Sequence, residues 1–462
     1  QQRVRRPLVR GRALRPADHQ PECSSRTGVV CAVDCPVVRA VDEQRFERRR
    51  RLVVNLALSA PTGGGPGSTT PDRPSRDTGR PIGGWAFVGV AVTSFGGPLA
   101  LAALYAPGIV ADASASAGLA MVAAVVVFTV PLAIWLRYAK HVHGSGGLYT
   151  FVEAAAGRRL ALVQAGLWIA SYLLYLLYTT AQIVYDTLPA VLPGERRYQH
   201  VLELALPLAL AAVMIAGRRT TLVVTGALAA GQLALAAGVG GVAISHLHAP
   251  VSSFGAGAPT GTLATASAQT ALLYVCGSLP LFLGGEVARP RRTVRRGLIG
   301  AYLASAAVIV AAVYPLAGDP QFAHSPIPGM SIAQQFVGHD FAVAVGIGVA
   351  ASVGGVMLVE YLALSRLVHA VTTWSLRPIV VGIGIALVGF APLTLIDPIR
   401  IYDDLLKPSL VALWLSQLIV FAAYPRFAAR HGSRMLPAWA LSAGSSAFAL
   451  YGLWATLHHS TS

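Results

Sequence analysis

Charged residues are scarce in this sequence. Only 12% of its 462 residues are Asp, Glu, Lys or Arg, against about 25% in soluble domains. Hydrophobic residues make up 54% of the chain, and the mean hydropathy is +0.59. A chain of this length with so few charges cannot cover itself with a water-compatible surface. This composition excludes an ordinary soluble protein.

Cysteine and catalytic motifs are also sparse. Cys23, Cys31 and Cys35 lie near the N-terminus, and Cys276 lies inside an apolar segment. Their spacing fits neither a zinc site nor a disulfide framework. The helical part contains no HExxH, GxSxG or Walker-type motif, which argues against metalloprotease, serine hydrolase and ATP-driven chemistry. We therefore expect no metal, no cofactor and no enzymatic activity.

The net charge of +16 would suggest nucleic acid as a partner if the basic residues formed one patch. They do not. Sixteen of the 36 basic residues lie within residues 1–83, and the others lie almost entirely in short loops between apolar runs. Only two of the 36 are lysines, Lys140 and Lys407. This distribution is typical of a membrane protein and argues against nucleic-acid binding.

Long apolar runs are what the sequence has in abundance. An α-helix needs about 20 apolar residues to cross the hydrocarbon core of a bilayer. Eleven runs of about this length predict eleven membrane-spanning helices, which occupy residues 85–110, 116–136, 160–188, 199–217, 220–245, 264–285, 297–317, 341–364, 378–395, 405–424 and 437–456. The sequence predicts an all-α polytopic membrane protein with its membrane domain at residues 84–462.

Residues 1–83 have a different composition, rich in Arg, Pro, Gly and Ser, with no sustained hydrophobic period. We expect a disordered basic tail on the cytoplasmic side. Two alternatives stay open. In the first, the apolar run at residues 52–60 is a signal-peptide core, which it resembles. In the second, part of the tail is a misplaced start, because the sequence begins with Gln and its first methionine is Met121.

The basic residues outside the tail predict the orientation, because Lys and Arg are retained on the cytoplasmic side. With the N-terminus inside, the cytoplasmic loops hold sixteen of them and the opposite loops hold four. The four are Arg196, Arg197, Arg400 and Lys407. We therefore expect a multi-pass protein of the cytoplasmic membrane with its N-terminus in the cytoplasm and, after eleven spans, its C-terminus outside.

Two of the predicted helices share an interruption near their middle. The first reads VTSFGGPL at residues 92–99, and the sixth reads YVCGSLPL at residues 274–281. Proline removes a helical hydrogen bond, and glycine lets the backbone open. Either break alone suits an ordinary kink. Matched breaks in two five-helix halves instead indicate a transporter substrate site, because open backbone in hydrocarbon is costly unless it binds something.

Three local motifs lie at the ends of predicted helices: GSGGLYTF at residues 144–151, EVARPRRTVRR at residues 286–296 and SRLVHA at residues 365–370. They resemble motifs of the amino acid, polyamine and organocation superfamily of permeases. The first is similar to the superfamily's small-residue turn after helix two. The second resembles its acidic and basic signature after helix six, and the third resembles the end of its helix eight. The motifs occur in the expected order, and the resemblance covers residues 84–430.

The resemblance implies a leucine-transporter-like architecture, a 5+5 inverted repeat with broken helices one and six. The repeats would span about residues 85–245 and 264–424, with an extra helix at 437–456. Amides of the first break would hold a substrate carboxylate, and the second break would receive its amine. The substrate-binding residues so expected, together with the best pocket candidate on helix three, are Ser94, Phe95, Gly96, Gly97, Tyr175, Tyr274, Cys276, Gly277 and Ser278.

Several further residues have two interpretations each. Glu360 is the acid most deeply embedded in a predicted span and is a candidate for proton coupling; alternatively it lies one turn from the helix end and reaches water by snorkelling. An aromatic face of helix three lines the pathway or packs the bundle, and it comprises Trp168, Tyr172, Tyr175 and Tyr178. Gln232 is better explained as an interhelical hydrogen-bonding residue than as a ligand.

These features predict a secondary active transporter of an amino acid or related small amine, working by alternating access. Its partners would be that small molecule and the lipid bilayer, with protons as a candidate coupling ion. A non-transporting membrane sensor, or a membrane-embedded enzyme on a transporter scaffold, would share every motif described above.

Overall fold

A computed structural model describes residues 81–247, 251–372, 374–394 and 397–458. The predicted tail lies outside these residues except for its last three positions. Throughout the described part the chain is helical, and its only β-type pairing is an isolated bridge between Ile82 and Val287. The predicted all-α class is therefore confirmed for the residues that the structure describes.

Every predicted apolar run coincides with a helix. We number these helices α1 to α11 in chain order. They are α1 Gly84–Ala113, α2 Ala117–Ala139, α3 Arg158–Val191, α4 Gln199–Ile215, α5 Arg218–His246, α6 Thr260–Glu286, α7 Pro290–Ala317, α8 His339–Val371, α9 Leu376–Leu393, α10 Pro398–Arg430 and α11 Met435–His458.

Among the described residues, nine helices are long and apolar enough to cross a membrane, and α10 does so through Asp404–Arg430. The two predicted spans outside this set are α4, which has 17 residues, and α11, which has 24. Two short helices that the apolar runs did not predict lie in the connections, Leu148–Ala156 between α2 and α3 and Pro328–Phe336 between α7 and α8.

Helix α1 is broken where the sequence predicts. Its first α-helical segment ends at Ser94, and Gly96 and Gly97 follow with φ angles of 73° and 66°. Residues with a side chain rarely adopt this left-handed region, so the two glycines permit the break. Pro98 starts the next helical turn, a position where its missing N–H costs nothing.

Helix α6 departs from α-helical geometry earlier than predicted. Its α-helical part, Thr260–Leu272, ends four residues before Cys276, and Leu273–Glu286 is wound as a 3₁₀-helix. Pro280 has no N–H to donate to the Cys276 carbonyl and its ring would clash with that carbonyl in an α-helix. The tighter winding avoids this clash and extends over the whole second half of the helix, whereas the sequence predicted an interruption within residues 274–281.

Helices α1 and α6 lie at the centre of the bundle. Within the most apolar stretch of each helix, 83% of the residues are buried in α1, 78% in α6 and 67% in α8, but only 28% in α5. The broken helices are thus enclosed by the others. Open backbone at this depth is surrounded by protein, which is the condition for tolerating it within a membrane.

Candidate functional site

The two breaks contact each other directly. A Cβ atom placed on Gly277 would lie 2.2 Å from Cε1 of Phe95, and one placed on Gly96 would lie 2.9 Å from the Leu273 carbonyl oxygen. Both distances are too short for any side chain. The small residues that mark the breaks in the sequence therefore permit α1 and α6 to approach at this depth.

Two of the predicted site residues, Phe95 and Tyr274, belong to a buried aromatic cluster. The Phe95 ring lies 5.4 Å from that of Tyr302 and 6.3 Å from that of Phe128, and Tyr274 lies 5.5 Å from Phe128. Neither Phe95 nor Tyr274 exposes any surface. These rings fix the position of the breaks against α2 and α7 and do not line a cavity.

Hydrogen bonds hold the first break against α5 and α8. The Gly97 N–H donates to the Thr93 carbonyl at 3.1 Å, and the Ala100 N–H donates to Oγ of Ser352 at 3.2 Å. Ser352 in turn donates to Oε1 of Gln232 at 2.9 Å, which confirms the interpretation of Gln232 as an interhelical residue. The Gly97 amide, expected to hold a substrate carboxylate, is therefore already bonded within the protein.

A cavity of about 610 Å³ lies beside the breaks, lined by α1, α3, α6, α8, α10 and α11. Of the nine predicted substrate-binding residues, Gly96, Tyr175 and Cys276 line it. The other six do not. Ser94 and Ser278 are buried and donate to carbonyls one turn earlier in their own helices, those of Ala91 and Val275.

Aromatic residues of α3 form one wall of this cavity. Tyr172, Tyr175 and Tyr178 line it. Trp168 does not: its ring stacks on Tyr172 at 3.8 Å and contacts Phe282 at 4.5 Å. Each of the two interpretations therefore holds for part of this aromatic face. The three tyrosines line the cavity, and Trp168 packs within the bundle.

Lys407 is the charged lining residue that the sequence interpretation missed. Hydropathy counted it with the outer loops, but it lies within α10 and lines the cavity, where it is half-buried. It is the only Asp, Glu, Lys or Arg among the lining residues. Lysine is so rare in this chain that a lysine inside an apolar run was a signal that could have identified it.

Glu360 lies behind the cavity wall. It is fully buried, eleven residues before the end of α8, so the interpretation that it reaches water by snorkelling is wrong. The thiol of Cys276 donates to its Oε1 across 3.8 Å, and its Oε2 has no hydrogen-bond partner among the described residues. Cys276 lines the cavity and thereby connects it to this carboxyl group.

A second polar group, which we term the ionic cluster, consists of Glu286, Arg366 and Arg218. Glu286 ends α6 and pairs with Arg366 of α8 through a short contact to Nε, and with Arg218 of α5 at 3.0 Å. The side chains of Glu286 and Arg366 are each only 5% exposed. The cluster joins α5, α6 and α8 through charged side chains.

The cavity and the ionic cluster lie at opposite ends of the bundle. Successive helices run in alternate directions, so the end of α6, the end of α8 and the start of α5 share one side with the start of α1. The cavity is lined instead by late residues of α1 and α3, early residues of α6 and α10, and the last turn of α11. The half-exposed Ile109 and Lys407 place its rim on that second side.

The bundle defines the class of protein. Large apolar side chains such as Val223, Ile385 and Trp454 point outward, where a soluble protein would carry charge. Together with the nine spans, these surfaces identify a multi-pass helical membrane protein with a central cavity. No protein-family model matches the chain, and no curated protein sequence matches it significantly.

Proposed function

We propose that this protein is a secondary active transporter that carries an amino acid or related small amine across the cytoplasmic membrane by alternating access. The observation that carries the proposal is the cavity of about 610 Å³ that reaches both broken helices, at Gly96 and Cys276. Cavities of this size suit small organic molecules. Broken helices at the centre of a membrane bundle are the usual location of a transporter's substrate.

The asymmetry of the bundle supports a cycle between two states. The cavity has its rim on one side, while the ionic cluster closes the other. A transporter in its outward-facing state requires this arrangement if the N-terminus is cytoplasmic, as the distribution of sixteen basic residues against four indicates. In the proposed 5+5 architecture, α1–α5 and α6–α10 form the two repeats and α11 is additional.

Glu360 is the candidate for coupling transport to protons within this proposal. A buried carboxylate is costly without a positive partner, and the described residues give Glu360 none. Its contact with Cys276 connects it to the cavity, so a change in its protonation would change the electrostatic surroundings of the proposed substrate site.

Uptake into proteoliposomes tests the proposal. Purified protein is reconstituted, a panel of labelled amino acids and amines is added outside, and accumulation is compared with protein-free liposomes. We expect at least one compound to accumulate and to be released by a competing unlabelled substrate. Binding of a compound without any uptake or exchange would instead identify a membrane sensor, and modification of a compound would identify an enzyme.

A further inference from the structure

We infer that Lys407 binds the carboxylate of the transported compound, so that the cavity accepts a carboxylate with a bulky apolar body and discriminates against amines that lack an acid group. This inference rests on the proposed function, and it narrows the substrate from amino acids and amines in general to one chemical class.

The charge within the cavity has one sign. Lys407 is the only Asp, Glu, Lys or Arg of its lining, and it forms no ion pair with a side chain that the structure describes. Glu360 is not part of the lining, because Cys276 lies between it and the cavity. Among the described residues, the lining of the cavity therefore offers a ligand an ammonium group and no carboxylate.

Lys407 is half-buried, and its neighbours Leu406 and Leu410 line the same cavity. A ligand carboxylate restores a charged partner in surroundings of low dielectric constant, where such hydrogen bonds are short and strong. A ligand cation in the same cavity is repelled. Of the amides at the first break, that of Gly97 already donates to the Thr93 carbonyl.

The remainder of the cavity predicts the body of the ligand. Its walls are mainly aliphatic and aromatic, and they include Trp414, the three tyrosines of α3, and leucine and valine side chains of α6 and α8. Apolar walls stabilise an apolar ligand in proportion to the apolar surface that it removes from water. A volume of about 610 Å³ leaves much of the cavity unfilled by a compound as small as glycine. A bulky or aromatic body fits it better.

Three related probes test the inference on the full-length protein in lipid nanodiscs. 3-Phenylpropionate has only the acid, phenethylamine has only the amine, and L-phenylalanine has both. We expect the two carboxylates to bind at least about tenfold more tightly than phenethylamine, the lower end of what a charge-assisted hydrogen bond contributes.

Substitution of the lysine provides the second measurement. Lys407→Gln should weaken 3-phenylpropionate binding by about tenfold to a hundredfold and leave phenethylamine binding unchanged or improved. Lys407→Arg keeps the charge and should retain most of the affinity. The matched control is Lys140→Gln, because Lys140 is the chain's other lysine and lies exposed at the end of α2; its removal should leave every affinity unchanged.

Three results would overturn the inference: no carboxylate binding to the wild-type protein, equal binding of phenethylamine, or undiminished carboxylate binding by Lys407→Gln. Proteoliposome uptake separates these results from failure of the proposed function. Uptake of phenethylamine but of neither carboxylate would retain transport and refute the role of Lys407. Lysine-dependent carboxylate binding without uptake of any probe would support the role of Lys407 and refute transport.

Discussion

Neutralising Glu286 should open the end of the bundle that the ionic cluster closes. Removing one partner of a buried ion pair costs about 3–5 kcal/mol, because the other charge stays buried without its partner. Here the charge left behind belongs to Arg366, whose side chain is 5% exposed. Arg218 is 24% exposed and contributes little to this cost.

The cost falls on the closed state alone if the opposite state separates these helices. Because 1.4 kcal/mol corresponds to a tenfold change, Glu286→Gln should shift the equilibrium by about a hundredfold to a few thousandfold. If the state closed by the ionic cluster is favoured 99:1, a shift at the lower end of this range would make the two states about equally populated. A shift at the upper end would make the opposite state the predominant one.

Cys276 reports the change, because it lines the cavity at the level of the breaks. After replacement of Cys23, Cys31 and Cys35, it is the only thiol in the chain. A small membrane-impermeant methanethiosulfonate is applied to sealed vesicles of each orientation. We expect wild-type protein to react from the cavity side, and Glu286→Gln to gain reactivity from the other side.

The matched control is Glu153→Gln. Glu153 also carries a carboxyl group, but it lies in the short helix Leu148–Ala156, where Tyr149 of the same helix donates a hydrogen bond to it at 3.1 Å. Its neutralisation should leave the labelling pattern unchanged. If Glu286→Gln is inserted normally and labels like wild type from both sides, the ionic cluster does not hold the bundle closed and the reasoning is refuted.

Three further outcomes are expected. Gly277→Val should abolish substrate binding and uptake without preventing insertion, because its Cβ would lie 2.2 Å from the buried ring of Phe95. The control is Gly231→Val, which has open space around its Cβ and should behave as wild type in the same assays. Glu360→Gln should abolish uphill uptake while sparing exchange, and an unchanged pH dependence of uptake would exclude it as the coupling group. Arg292 and Ala256 are both exposed. In intact cells, a cysteine in place of Arg292 should be protected from an impermeant thiol reagent, and a cysteine in place of Ala256 should react with it. The opposite pattern would reverse the proposed orientation.

The helices could be predicted from sequence because the length of an apolar run and the thickness of a bilayer are directly related. The end of α8 shows where that relation fails. The apolar run stops at residue 364, but the helix continues to Val371 because Arg366 is buried by pairing with Glu286. Hydropathy treats that arginine as a helix end, and this is why Glu360 was placed near water.

The candidate site was predicted only in part, for a similar reason. Glycine and proline reveal where the backbone opens, and both breaks were found from them. They do not reveal which way neighbouring side chains turn. Phe95 lies in the aromatic cluster while the adjacent Gly96 lines the cavity. Lys407 lies within the predicted run 405–424 but was counted with the outer loops, and its place in the cavity lining is shown by the packed bundle.

The bridge between Ile82 and Val287 has a mechanical consequence. The Ile82 N–H donates to the Glu286 carbonyl at 2.8 Å, and the Ala288 N–H donates to the Ile82 carbonyl at 3.4 Å. These bonds join the segment that precedes α1 to the segment that follows α6. The first half of α1 and the second half of α6 are therefore linked and should move together. A displacement of either half-helix is transmitted to the other through backbone hydrogen bonds, without any side chain. A shortened chain that begins at Gly84 would retain every helix and yet lose this linkage.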